Sequence, residues 1–190
     1  MHYKAFLITK EFPTDDIIEE IMQPFNGEDL FERREKNLIT NEPYPVFTWD
    51  WYQVGGRYNS FFELDMKKTE DKYEWNCCKD RANVVFRSYL FDELYRLCDE
   101  KKKWLIREYK FYPCLGGRDN ILRVDGGLIS DMKDFDITQC YIIIDVDGDA
   151  YARSSWNGSQ WVEDIDFDDK TKAILEVSKD YYIVTIDIHD

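Results

Sequence analysis

The chain has 190 residues, of which 44% are hydrophobic and 16% aromatic, enough apolar surface to offset the entropy that keeps polar chains unfolded, in a length that fits one core. Acidic residues outnumber basic ones by 39 to 25, a formal charge of −14, which repels nucleic acid and anionic lipid and suits a basic protein partner or solubility alone. No run approaches the roughly 18 to 20 apolar residues that cross a bilayer, and Met1 to Phe6 lacks the layout of a secretory signal, so a cytoplasmic protein is expected.

Tyr3 to Thr9 is β-prone, and after Phe12-Pro13 the hydroxyl of Thr14 can cap a helix with Asp15 and Asp16 in its first turn. Ile17, Ile18, Ile21 and Met22 form its apolar stripe, and Pro24 ends it. Glu28 to Asn37 and Ser88 to Lys101 have helical spacing, Pro43 and Pro45 mark a loop, and Ile106 to Tyr112 reads as extended.

Cys140 to Val146 is a second apolar strand; Asp147-Gly148 turns it, and Ala150 to Arg153 returns antiparallel. Asn157-Gly158 offers another turn before Trp161 and Val162. A helix then opens at Asp168-Asp169 and runs through Ala173, Ile174 and Val177, and Tyr181 to His189 closes as a strand. The order β-α, a long middle, then β-β-α-β predicts a single α+β domain over residues 1–190. Its expected core is a ferredoxin-like split βαβ, with residues 25–138 inserted between the first helix and the C-terminal ββαβ.

The five cysteines Cys77, Cys78, Cys98, Cys114 and Cys140 are odd in number and form no Cys-x-x-Cys pair. Free thiols in a reducing compartment are expected, with no metal site and no cofactor. Asp145-x-Asp147-Gly148-Asp149 imitates the start of an aspartate-nucleophile phosphatase, but about forty residues follow, too few for the rest of that machinery. A calcium loop fails as well, since Ala150 stands at the required glycine and Trp156 at the bidentate glutamate. Thr185, Asp187 and His189 share one face of the last strand and read as a solvated strand end. The basic Lys101-Lys102-Lys103-Trp104 reads as a helix end. No complete catalytic set is present.

The densest signal is the block from Trp49 through Tyr58, where Trp49, Trp51, Tyr52 and Tyr58 accompany Asp50, the pair Gly55-Gly56 and Arg57. Rings supply stacking faces, paired glycines permit positive φ, and a guanidinium is a planar fork for carboxylate or phosphate. Two arrangements fit: a recognition surface, or core rings with a glycine turn and an Arg57–Asp50 pair.

Trp49-Asp50-Trp51-Tyr52-Gln53-Val54-Gly55-Gly56-Arg57 resembles the DWYQxGGRW-type signature of a family of uncharacterised phage and prophage proteins. Met22-Gln23-Pro24-Phe25, the stretch from Gly127 to Phe135, the Asp147-Gly148 turn with Trp156 and Trp161, and the end from Thr185 to His189 match in the same order. Tyr58 stands where that family usually has tryptophan, and Ile188 where cysteine is frequent. The resemblance implies a viral protein made inside a bacterium. The expected function is binding of a host protein, as a counter-defence inhibitor of the anti-CRISPR kind. The alternative is a nucleotide or other phosphate-bearing small ligand, sponged or degraded. Either way Trp49, Asp50, Trp51, Tyr52, Gly55, Gly56 and Arg57 form the binding surface.

Overall fold

A computed structural model of the chain describes residues 1–27, 46–59, 61–63, 104–105, 123–157 and 159–190. Among these, the fold is a mixed α+β arrangement with a mostly sheet core and two α-helices. Strand β1 (His2–Thr9) lies at its centre, antiparallel to β11 (Tyr182–His189) over eight residue pairs, from His2 opposite His189 to Thr9 opposite Tyr182. On its other side β1 runs parallel to β7 (Ile142–Ile144), which turns into its antiparallel neighbour β8 (Ala150–Ala152). Gly148 at φ +86° completes that turn, and Asp145 Oδ1 fastens it by accepting the N–H groups of Asp147 and Asp149, each at 3.0 Å. The Asp145–Asp149 segment is a hairpin, as its composition predicts.

The free edge of β11 carries two short strands end to end. The first is β2 (Trp51–Val54) against Ile186 to His189; the other is β6 (Gly126–Leu128) against Tyr182 to Val184. Between them Thr185 donates its N–H to Asp125 O and accepts from Gly55 N, both at 2.8 Å. Beyond β6 lies β4 (Trp104–Leu105), and the small pairs β3 (Phe62–Glu63) with β5 (Arg123–Val124) and β9 (Ser154–Trp156) with β10 (Trp161–Glu163) stand outside the main sheet. Segments of the stretch 25–138 therefore extend the sheet itself.

The observed order, β11-β1-β7-β8, differs from the split βαβ expected from the sequence. That plan seats the second hairpin strand beside β1 and both helices on one face. Here the first hairpin strand, β7, takes that place, and the helices cover opposite faces. Helix α1 (Asp15–Met22), capped by Thr14 Oγ1 accepting Ile17 N, sets Ile18 and Met22 against Ala5, Leu7, Ile142, Ile144, Val184, Ile186 and Ile188. Helix α2 (Phe167–Val177) sets Phe167, Ile174 and Leu175 against Phe6, Ile8, Ile143 and Ile183. The physical reason is legible in the central strands: successive residues of β1 and β11 point to opposite faces and both faces are apolar, so each needs its own cover.

Helix α1 ends at Met22, before Pro24, as predicted. In α2 the inward face is Phe167, Thr171, Ile174, Leu175 and Ser178, while Ala173 and Val177 are exposed, so the predicted stripe is rotated. The expected elements at Glu28–Asn37, Pro43–Pro45, Ser88–Lys101 and Ile106–Tyr112 lie outside the described residues, as do Cys77, Cys78, Cys98, Cys114 and Lys101 to Lys103.

Gly126 is where β6 meets β11 most tightly: a Cβ there would lie 2.7 Å from the Ile183 carbonyl oxygen. Gly126→Ala should therefore destabilise the fold by about 1–3 kcal/mol, measured by denaturant unfolding; an unchanged midpoint would show that β6 can shift freely.

Candidate functional site

One face of the β1–β11 pair changes character along its length. Phe6, Ile8 and Ile183 are core, and toward the other end the same face carries Lys4, Thr185, Asp187, His2 and His189. Strand alternation puts them together, because His2 and Lys4 precede Phe6 by even steps and Asp187 and His189 follow Ile183 likewise. Both histidines of the chain thus sit side by side, with ring centroids 4.9 Å apart at 72°.

Each imidazole is held by a carboxylate. His2 Nδ1 donates to Asp187 Oδ1 at 2.9 Å, and His189 Nδ1 donates to Asp50 Oδ1 and Oδ2 at 2.7 and 2.9 Å. A carboxylate accepts, so Nδ1 is the donor in each ring, and in the neutral tautomer that this selects Nε2 carries the lone pair. Trp51, next to His189 across β2, lies flat on its ring at 5.1 Å and 8°, and meets His2 edge-on at 5.2 Å. Three rings are packed mutually, with the indole 42% exposed.

Asp187 is 1% exposed, which corrects the expectation of a solvated strand end. Burying a carboxylate costs several kcal/mol unless its oxygens find donors. Both do: Oδ1 takes His2, and Oδ2 takes the backbone N–H of Arg57 at 2.9 Å. Gly55 at φ +71° and Gly56 at φ +50° let the chain double back to present that N–H, and a Cβ on Gly56 would stand 2.6 Å from Asp187 Cβ. The glycine pair thus serves the buried carboxylate, through conformations and clearances that side chains do not tolerate. Tyr58 adds its hydroxyl to His2 O at 3.3 Å, and burial pushes its pKa up.

Below the histidines, the buried Lys4 donates to Gln139 Oε1 at 2.9 Å and its ammonium stands 3.9 Å from the centre of the Phe61 ring. Burial lowers its pKa. Asp50 is displaced the other way: the hydrogen bond from His189, above all, holds its carboxyl below the usual carboxylate range.

The predicted binding residues accordingly divide. Asp50 and Trp51 lie on the histidine face, the exposed Arg57 reaches it through its backbone N–H to Asp187, and Gly55 and Gly56 shape the turn that presents that N–H. Trp49 and Tyr52 pack against the opposite, α1 side of the sheet, with Trp49 Nε1 donating to Met22 O at 2.8 Å and burial raising the Tyr52 pKa. The alternative Arg57–Asp50 pair is not formed, since Asp50 turns to His189. His2 is a site residue outside the predicted binding set, as are Asp187 and His189, which the sequence reads only as a solvated strand end. The signal available for them was the pairing of the two terminal strands, which sets position 2 opposite position 189.

Cys140 is a free, buried thiol that donates to Ile142 O, and burial pushes its pKa up to about 12, which disfavours the reactive thiolate. No group of three histidine, cysteine, aspartate or glutamate side chains suited to a metal ion is assembled among the described residues. No helix among them is long and apolar enough to cross a membrane.

Comparison of the chain with protein-family models, with curated proteins and with solved structures finds no match.

Two measurements check this anatomy. Trp49→Ala should cost about 3 kcal/mol or more, because it removes packed ring and a satisfied N–H, whereas Trp51→Ala should cost about 1 kcal/mol, the scale of a surface ring stack; equal losses in unfolding experiments would contradict the division between the two faces. A carboxyl with a depressed pKa stabilises the fold above its ordinary pKa and loses that contribution as pH falls through the folded value. Any melting advantage of the native chain over Asp50→Asn should therefore disappear as pH falls below the usual carboxylate range of about 4, and an advantage that grows on acidification would contradict the assignment.

Proposed function

We propose that this chain is a non-enzymatic interaction protein of phage type that acts in the bacterial cytoplasm by binding a basic host protein, as a counter-defence inhibitor of the anti-CRISPR kind. The observation that carries the reading is the Trp51 platform: an exposed indole backed flat by His189, with the exposed Asp50 carboxylate clamping that imidazole. A rigid ring rimmed by negative charge suits an arginine or lysine of a partner, which stacks on the indole and pairs with the carboxylate. Rings held in place lose little entropy on binding, which is why tryptophan dominates many interfaces. The charge of −14 favours encounter with a basic surface.

A second exposed aromatic patch supports the same reading. Trp156 and Trp161 face each other across β9 and β10 with ring centroids 6.1 Å apart, and both are exposed. Glu163, two residues on in β10, shares the face of Trp161, so this patch too joins a ring to acid. Exposed aromatic pairs close to charge are a feature of protein docking surfaces.

A specific feature favours the alternative of a phosphate-bearing ligand: Arg57 is exposed and its backbone is tied to Asp187, the carboxylate that holds His2 beside Trp51. In that reading a base stacks on Trp51 and Arg57 takes the phosphate.

The partners captured from a bacterial host by native chain should be lost with Trp51→Ala, which is expected to weaken binding by about 2 kcal/mol or more, roughly thirtyfold. Asp50→Asn and higher salt should weaken capture as well. Capture indifferent to all three would overturn the protein-binding reading, and a nucleotide that raises the melting temperature of native chain but not of Arg57→Ala would favour the alternative.

A further inference from the structure

We propose that His2 and His189 together bind one divalent ion of the imidazole-preferring transition series: copper, nickel or zinc. The two rings stand directly opposite each other on one face of the sheet, with centroids 4.9 Å apart. Each Nδ1 is engaged by a carboxylate, Asp187 for His2 and Asp50 for His189, and among the described residues neither Nε2 has a hydrogen-bond partner. This carboxylate–imidazole arrangement is the one that orients metal-binding histidine, fixing the tautomer and raising the basicity of the nitrogen left free.

Two imidazoles, each backed by its own carboxylate, thus stand side by side with the second nitrogen of each ring unengaged among the described residues. Charge points the same way: Asp50 and Asp187 lie directly behind the rings in a chain of net −14, so a cation is the complementary ligand. Imidazole nitrogen selects copper, nickel and zinc over magnesium and calcium, with copper the tightest. Two protein nitrogens leave the remaining coordination positions to water or to a ligand carried by a partner.

Trp51 serves as a built-in reporter, with its ring 5.1 and 5.2 Å from the two imidazoles. Titration of the native chain with Cu(II) or Ni(II) should quench its fluorescence saturably at one ion per chain, and Trp51→Phe should remove most of that signal. His2→Gln and His189→Gln should each weaken binding by at least about tenfold, the lower end of what even the outer partners of a metal-bound histidine contribute.

Zn(II) should protect both histidines of the native chain from carbethoxylation, read by mass spectrometry, a test that needs no variant to fold. Absence of saturable binding by about 1 mM ion would overturn the proposal. So would binding that survives His189→Gln, or protection of His2 alone, either of which means chelation by the amino-terminal end without its neighbour. None of these outcomes depends on whether a host protein is captured, so this proposal and the proposed function stand or fall separately.

Discussion

The antiparallel pairing of β1 with β11 is the constraint from which the rest of the described structure follows. It joins residues 2–9 to residues 182–189 in eight consecutive pairs and makes both strands central. Six successive residues of each strand are buried, so neither can leave a face to solvent. That requirement places α1 on one side and α2 on the other and excludes the one-sided packing of a split βαβ. Fully burying each isoleucine, leucine or phenylalanine in these two layers stabilises the fold by about 1.5–3 kcal/mol, and the pairing is what brings them into contact.

The same pairing creates the polar end of the sheet. Its register sets His2 opposite His189 and Lys4 opposite Asp187, and the strand period directs these side chains to one face. A buried carboxylate at position 187 is tolerable only because His2 and the Arg57 N–H satisfy both oxygens. The Gly55-Gly56 turn supplies the second donor, so a motif that looks like a ligand loop first serves an internal charge. Histidine positions are in turn fixed by carboxylates, and the exposed indole is fixed by a histidine. Rigidity is passed outward from the core to the surface through hydrogen bonds and ring contacts.

The surface features share one logic. Trp51 and the Trp156–Trp161 pair present large rings held by neighbours, and both lie close in sequence to carboxylates on a strongly acidic chain. Preorganised aromatic area joined to negative charge suits a basic partner, and both histidine rings stand against Trp51.

Local sequence alone determined a good deal. The strand at Tyr3–Thr9, the Thr14-capped helix ending before Pro24, the Asp147-Gly148 hairpin, the second helix and the closing strand all depend on short-range rules of alternation, capping and turn chemistry, and each appears in the structure. The importance of the Trp49–Arg57 block was visible too, because rings, paired glycines and a guanidinium in ten positions are chemically unusual. Tertiary structure alone decided the strand order, the opposite placement of the helices, and the fate of each ring in the block. Trp49 and Trp51 are two residues apart yet one turns to the α1 side, bonded to the Met22 carbonyl, and the other to the histidine face. His2, Asp50, Asp187 and His189 are separated by up to 187 positions and carry no motif in common. Only pairing between distant strands makes them neighbours, and pairing is a property of the whole chain's burial, not of any window of its residues.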